Sequence, residues 1–252
     1  ICIINVIRNN VRYNNWEILE NGYGISMRDF VTFAAENYQK DESKNALVKA
    51  INVMLFKAEG QAMLRHPEFK LEDRLLFDKI DPVKGIATLP DGQYEMNTTD
   101  FPTYDPDRPY EYSPEEEKII EDWQWDFLHS EALQKHMDFF FSHGSLYKVM
   151  NGNLMSHGGL PMNEDGTCRP VTLRGKTLKG RAYMDWVDHL ARICFRRRKL
   201  EDQDFFWFLW IHPDYPVTGR TIKTFERSYI NDEDTWKEPQ DPYYKLHRKT
   251  EI

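Results

Sequence analysis

Cysteine and long apolar runs are scarce in this chain of 252 residues. The three cysteines, Cys2, Cys168 and Cys194, are odd in number, widely spaced and without a Cys-x-x-Cys pair. This pattern argues against a disulfide framework and favours reduced thiols in the cytoplasm. The strongly apolar run 205–211 is far shorter than the roughly 20 residues that a bilayer-spanning helix needs. We therefore expect no membrane partner.

Positively charged residues are also fewer than negatively charged ones. Lysine and arginine total 33 against 41 aspartates and glutamates, which gives a formal net charge of −8. Proteins bind phosphate backbones through clustered Lys and Arg, so this balance argues against a nucleic-acid partner. A small sugar phosphate needs only a local basic pocket, and a negative total charge does not exclude one.

The first part of the chain, residues 1–142, is predicted to be mainly helical. Apolar residues at helical spacing indicate a helix over residues 43–65, which His66-Pro67 would end. The segment Ser26-Met27-Arg28-Asp29 suggests a capping box for an earlier helix. A later helix begins at Ser113-Pro114-Glu115-Glu116, with apolar positions that continue as far as Phe140.

Two shorter features lie between these helices. Strand-like pieces on both sides of Pro90-Asp91-Gly92 predict a β-hairpin. Residues 98–112 are rich in Pro, Asp and Tyr and predict an irregular loop, which either covers a neighbouring site or is a solvated connector.

The second part, residues 143–252, has a different pattern. Asn151-Gly152 between two apolar runs predicts a tight hairpin, because both residues tolerate positive φ. A helix is expected over residues 178–197. The almost wholly apolar run 204–211 is typical of a strand buried on both faces. The fold class is therefore α/β.

The hairpin places His157 at the end of its returning strand, in His157-Gly158-Gly159. A strand fixes the position of the imidazole, and two glycines remove Cβ bulk near a bound ion, so His157 is a candidate metal ligand. A turn residue with a satisfied ring is the alternative.

Several segments resemble the bacterial class III fructose-1,6-bisphosphatases, which belong to the calcineurin-like metallophosphoesterases. They cover most of the chain: Asn5-Val6-Ile7-Arg8, Arg12-Tyr13-Asn14-Asn15, Glu20-Asn21-Gly22-Tyr23-Gly24-Ile25, Ser142-His143-Gly144-Ser145-Leu146-Tyr147, Asn151-Gly152-Asn153-Leu154, His157-Gly158-Gly159-Leu160-Pro161, Thr224-Phe225-Glu226-Arg227 and Asp241-Pro242-Tyr243-Tyr244-Lys245-Leu246.

The resemblance implies a helical insertion followed by the second half of a metallophosphoesterase αββα sandwich. It also implies hydrolysis of the 1-phosphate of fructose 1,6-bisphosphate in gluconeogenesis, assisted by two divalent cations, expected to be Mn²⁺. His157 would bind one of them. The family's other metal motifs, of the kinds Asp-x-His, Gly-Asp-x-x-Asp, Gly-Asn-His-Asp and Gly-His, do not occur here.

The missing motifs and the apolar start Ile1-Cys2-Ile3-Ile4 suggest a central piece of a longer protein. We therefore expect the chain alone to be catalytically inactive and its partners to include the remaining segments of the same polypeptide. Whether the protein forms a homo-oligomer is left open.

Basic residues near the end of the chain are the candidates for substrate phosphate binding: Arg220, Lys223 and Arg227. Surface salt bridging is the alternative for them. His143 and the run Arg196-Arg197-Arg198-Lys199 are assigned to helix ends.

The function also has alternatives. One is another phosphoesterase specificity, including phosphoprotein phosphatase, and the other is a scaffold or regulatory module without chemistry.

Overall fold

The computed structural model describes residues 1–39, 43–212, 214, 223–239 and 241–246. Its helices are α1 (Cys2–Arg12), α2 (Glu17–Tyr23), α3 (Arg28–Asn37), α4 (Ser43–Arg65), α5 (Pro114–His129), α6 (Glu131–His143), α7 (Gly180–Arg197), α8 (Leu200–Ile211), α9 (Thr224–Tyr229) and α10 (Tyr243–Leu246). The strands are β1 (Ile80–Asp81), β2 (Ile86–Leu89), β3 (Gly92–Glu95), β4 (Tyr147–Met150), β5 (Asn153–Ser156), β6 (Val171–Leu173) and β7 (Lys176–Leu178). The α/β class is thereby confirmed.

The described strands form three small antiparallel sheets, with the orders β1-β2-β3, β4-β5 and β6-β7. Each sheet joins strands that follow one another in the sequence, and an isolated bridge between Met96 and Ile230 joins distant residues of the first unit. The predicted sandwich, which would need stacked sheets, stays a prediction.

The chain divides into two compact units, residues 1–139 with 228–232 and residues 140–227 with 233–252. In the first unit, α4 forms the centre and contacts both α1 and α3. Buried side chains lie all around α4, including Ile51, Val53, Met54 and Phe56, as expected for a helix enclosed by others. The assignment of the first part to an insertion and of the second to a phosphoesterase core stays a prediction.

Several predicted elements of the first part are confirmed. Helix α4 has the predicted bounds, and β2 and β3 form the predicted hairpin. At the start of α5, Ser113 Oγ accepts the backbone N–H of Glu116, and the Glu116 carboxylate accepts the N–H of Ser113. This reciprocal pair is the capping box that the sequence predicted.

Two predictions about the helices of the first part are wrong. Helix α3 begins after Met27 and has no side-chain cap, and the Ser26 N–H donates to Asp126 Oδ2 rather than to Asp29, so the reciprocal pair of a capping box is not formed. The long helix from Ser113 is interrupted at Ser130, where the backbone is extended and α5 ends.

The largest error concerns residues 204–211. They belong to α8, a helix that packs on α7 in the second unit, and not to a strand. Its apolar residues cover more than one face, and Phe205, Trp207, Phe208 and Leu209 are all buried. A buried helix and a buried strand both produce a continuous apolar run, so the pattern could not separate them.

The three cysteines are free thiols, as predicted. Burial raises the pKa of Cys194 to about 11, which keeps this thiol protonated near neutral pH. Among the described residues, no helix is both long enough and apolar enough to cross a membrane.

Candidate functional site

The hairpin of β4 and β5 carries His157, as the sequence predicted. Tyr147 pairs with Ser156 at the open end, and Met150 pairs with Asn153 beside the turn. Asn151 and Gly152 have φ values of 53° and 78°, the left-handed conformation that their residue types tolerate. His157 directly follows β5, and its side chain is exposed.

The base of the hairpin is attached to α7. The backbone N–H of Leu146 donates to Asp188 Oδ1 at 2.9 Å, and the Tyr147 hydroxyl donates to Asp185 Oδ1 at 2.5 Å. The latter bond raises the pKa of Tyr147. Asp185 and Asp188 therefore hold the start of β4, the strand that pairs with the one leading to His157.

Asp188 is itself held by Arg192 one helical turn later, with Nε and Oδ2 2.7 Å apart. The Arg192 guanidinium also donates to the carbonyls of Phe141 and Gly144. It thus binds carbonyl groups at the C-terminal end of α6, where such groups lack helical partners. His143 is the last residue of α6, which agrees with its assignment to a helix end.

The segment that follows His157 is bound by a carboxylate from near the end of the chain. Asp241 Oδ1 accepts the backbone N–H groups of Met162 and Tyr243, each at 3.0 Å. Asp241 Oδ2 lies 2.9 Å from Arg169 Nη2, which is also 2.8 Å from Asp214 Oδ1. One arginine therefore joins two carboxylates, and its hydrogen bonds to Asp214 and, to a smaller extent, to Asp241 raise the Arg169 pKa above its ordinary value.

The sequence patterns assigned no individual role to Arg169 or Asp214, and they included Asp241 only within a motif. The signal at Asp241 was present, because Asp-Pro favours a turn in which the carboxylate accepts the N–H two residues later. Nothing in the sequence indicated which arginine such a carboxylate would contact.

The structure describes two of the three candidate phosphate-binding residues, and both are paired with carboxylates. Arg220 lies outside the described residues, as does most of the loop after α8. Lys223 Nζ is 3.3 Å from Glu226 Oε1, and Arg227 Nε is 3.3 Å from Glu238 Oε1. Both cations are therefore paired with carboxylates, the arrangement expected of salt bridges, while Arg227 stays half-exposed.

The basic run at the end of α7 also forms local contacts. Arg197 pairs with Glu201 at 2.6 Å and with Asp202 at 3.1 Å, and the Arg198 guanidinium lies over the Phe195 ring. Arg198 has a φ of 54° and ends the helix. These contacts support the assignment of this run to a helix end.

The surroundings of His157 bear on its role as a ligand of the implied cations. Within the described ranges, no group of three or more His, Cys, Asp or Glu side chains is placed to hold a metal ion. His157 itself fits a single-ligand role, since its ring is exposed at the end of a fixed strand. The remaining ligands of a two-metal site would have to come from outside the residues that the structure describes.

Comparison with known proteins gives a consistent result. Residues 1–252 match the family described as Firmicute fructose-1,6-bisphosphatase. The chain is 40% identical to "Fructose-1,6-bisphosphatase class 3" of Clostridium botulinum (strain Loch Maree / Type A3), over 97% of the chain and 40% of the relative. It is 39% identical to the protein of the same name from Clostridium tetani (strain Massachusetts / E88), over 100% of the chain and 42% of the relative.

The chain thus spans about two fifths of the length of these curated relatives. No solved structure matches it.

Proposed function

The chain belongs to the Firmicute fructose-1,6-bisphosphatase family, and we propose that it forms part of an enzyme that hydrolyses the 1-phosphate of fructose 1,6-bisphosphate. The observation that carries this proposal is the 40% identity over 97% of the chain to a protein named for that activity. The reaction class would be phosphoric monoester hydrolysis, and the pathway role would be gluconeogenesis in the cytoplasm.

His157 is the residue of this chain that would hold a divalent cation, with Mn²⁺ as the proposed ion. Bound divalent cations supply Lewis-acid stabilisation of the charge that develops on a phosphoryl group in transfer. The contribution of this chain is to fix the direction of the imidazole through the β4–β5 pairing and the contacts of Asp185 and Asp188 with the base of the hairpin.

Arg227 and Lys223 would contact the sugar phosphate. Both already pair with a carboxylate, so substrate phosphate would have to compete with Glu238 for Arg227 and with Glu226 for Lys223. Arg227 is 54% exposed and Lys223 only 23%, so a phosphate, which forms strong charge-assisted hydrogen bonds with arginine, reaches Arg227 more readily, and Arg227 is the better candidate of the two. Arg220 stays a candidate by sequence alone.

The β4–β5 hairpin supports a place for this chain in a larger metallophosphoesterase sandwich. Val149 and Leu154 share one face of the hairpin and Met150 and Met155 the other, and all four are between 44% and 59% exposed. Among the described strands, neither edge of the hairpin pairs with a third strand. Exposed apolar residues on both faces and two open edges are typical of a sheet that other segments complete.

The proposal is tested in the full-length protein with two histidine variants. We expect His157→Ala to lower kcat/KM by several orders of magnitude and to empty or weaken one metal position, because several kcal/mol of transition-state stabilisation are attributed to a metal ion. The matched control His143→Ala removes an imidazole from the end of α6 and should retain activity. The measurements are kcat/KM at saturating Mn²⁺ and bound metal per chain.

Near-full activity of His157→Ala with two bound metals would show that the assignment of His157 is wrong. Hydrolysis of phosphopeptides but not of fructose 1,6-bisphosphate by the full-length protein would favour a phosphoprotein phosphatase, and hydrolysis of neither would favour a scaffold. We also expect the 252-residue chain alone to release no phosphate from fructose 1,6-bisphosphate.

A further inference from the structure

The segment directly after His157 has little structure of its own. Residues 157–161 belong to no helix or strand, and the chain next makes a ladder contact at Met162, which forms an isolated bridge with Cys168. Within the segment, the Ser156 hydroxyl donates to the Gly158 carbonyl at 2.7 Å. A histidine at the end of an antiparallel pair is fixed on one side by its strand, so its direction also depends on what holds the other side.

Asp241 holds that other side. Its carboxylate accepts two backbone N–H groups and one guanidinium N–H, and its side chain is only 5% exposed. A buried carboxylate is costly unless it is paired and hydrogen-bonded, and Asp241 satisfies both conditions. One of its three donors is Met162 N, so the carboxylate bonds directly to the backbone at the end of the His157 segment.

Arg169 contributes a second attachment through its backbone and its side chain. Its N–H donates to the Pro161 carbonyl at 2.9 Å, and its guanidinium joins Asp241 to Asp214. Asp214 is fixed in turn, because its N–H donates to His212 Nδ1 at 3.2 Å and its carbonyl accepts the Tyr183 hydroxyl at 3.0 Å. Tyr183 lies on α7, so the chain of contacts runs from the segment to a long helix of the same unit.

Gly159 completes the attachment by close packing. A Cβ built at this position would lie 2.9 Å from Tyr243 Cδ1 and 3.3 Å from Tyr244 Cε2. The Asp241-Pro242-Tyr243-Tyr244 segment therefore lies against the second glycine of His157-Gly158-Gly159. This contact gives that glycine a packing role, which is independent of any approach to an ion.

We propose that Asp241 and Arg169 are positioning residues that fix the direction of the His157 imidazole, with Tyr243 packed against Gly159 as the third point of attachment. The inference rests on the proposed function, in which His157 binds a divalent cation. It goes beyond that function because it assigns a role in cation binding to residues that do not themselves contact the ion. Substitution of the residues that orient a metal-binding histidine typically lowers metal affinity about 10- to 100-fold.

The test is a calorimetric titration of the metal-free full-length protein with Mn²⁺. We expect Asp241→Ala to weaken one Mn²⁺ position about 10- to 100-fold and His157→Ala to weaken the same position at least as much. The double variant should bind Mn²⁺ no more weakly than His157→Ala alone, since Asp241 acts through His157. A role limited to folding would not produce that equality.

Asp165→Ala is the matched control. Its carboxylate also accepts the N–H two residues later, that of Thr167, and it lies in the neighbouring turn without contact to Arg169. Its Mn²⁺ affinity should be unchanged. If Asp241→Ala does not fold, Asp241→Asn replaces it, because the amide oxygen can still accept from Met162 N while the ion pair with Arg169 is lost. Mn²⁺ binding should then weaken less than 10-fold but measurably.

The two hypotheses fail in different ways. Unchanged Mn²⁺ affinity in folded Asp241→Ala or Asp241→Asn, together with a loss in His157→Ala, overturns the positioning role and leaves the proposed function intact. Two Mn²⁺ ions bound normally by His157→Ala show that the assignment of His157 as a metal ligand is wrong.

Discussion

Residues 98–112 and the β4–β5 hairpin show opposite relations between composition and burial. The first is a polar, proline-bearing stretch, yet its Phe101 and Tyr110 are each only 6% exposed within the first unit. The second is rich in apolar residues, yet Val149 and Leu154 are 59% and 44% exposed within the second unit. Composition alone would have ranked their burial in the reverse order.

The polar stretch is held against α4 because its polar groups have partners. Lys57 Nζ lies 2.7 Å from both Glu116 Oε2 and the Thr103 carbonyl, and the Thr103 hydroxyl donates to Glu116 Oε1 at 2.7 Å. The Lys57 and Glu116 side chains are 1% and 0% exposed. Burial of an ion pair is tolerated when its remaining hydrogen-bonding capacity is satisfied, as it is here.

The lack of a side chain at Gly60 on α4 also allows residues 98–112 to pack closely. Gly60 lies beneath the Tyr110 ring, and a Cβ at Gly60 would come within 2.0 Å of Tyr110 Cδ1. The neighbouring Gln61 donates to the Tyr110 carbonyl at 2.7 Å. The loop is therefore packed on α4 and is not a solvated connector, while its role as a cover over a neighbouring site stays a prediction.

Burial in these two regions follows the available partners and space more than the composition. The hairpin has the side chains of a buried element, but nothing in the described residues of its unit covers them. Three substitutions test this difference.

The largest effect is expected from Lys57→Ala. Removing one partner of a buried ion pair leaves Glu116 with an uncompensated charge, which should lower the free energy of unfolding by about 3–5 kcal/mol. Urea denaturation of the chain, followed by circular dichroism, measures this change. The control Lys118→Ala breaks an exposed pair with Asp122 on α5 and should have little measurable effect. Equal losses in the two variants would contradict the account of residues 98–112.

A smaller change in stability is expected from Gly60→Ala, with a sign opposite to the one usual for Gly→Ala in a helix. In an exposed helix this change is stabilising, but here the new methyl group collides with the Tyr110 ring, so we expect a loss of about 1–3 kcal/mol. Gly22→Ala on α2 is the matched control, because its nearest neighbour would be Ile18 Cγ2 at 4.0 Å. It should raise stability by up to about 1 kcal/mol. Thermal unfolding of both variants gives the comparison, and the same sign for both would refute it.

The smallest effect is expected from Val149→Thr in the 252-residue chain. An exposed substitution should change stability by less than about 0.5 kcal/mol. In the full-length protein the same change should cost more than about 1 kcal/mol if other segments cover this face. Val83→Thr, at a position that is 95% exposed, should be near neutral in both proteins. A near-neutral Val149→Thr in the full-length protein would show that the hairpin face stays exposed.

Much of the local structure could be predicted from sequence. The bounds of α4, the capping box of α5 and the turn at Asn151-Gly152 were all predicted correctly, because each depends on residues within a few positions of one another. The position of His157 after β5 followed from that turn. The attachment of His157 did not, since Asp241 is 79 residues from Met162 and 72 residues from Arg169.

The secondary structure of the run 204–211 could not be predicted from its own residues. Buried helices and buried strands both require apolar residues on every face, so the choice between them depends on the neighbouring element. Here the run belongs to α8, which packs on α7.

Local sequence therefore specifies the mainly helical first part, the tight turns and the residue that follows β5, because backbone conformation responds to nearby side chains. Long-range packing establishes that residues 98–112 are buried, that the apolar hairpin is exposed, and that Arg169 joins Asp241 to Asp214. Those outcomes depend on pairing between distant residues, whose free energy is gained only when the chain brings them together.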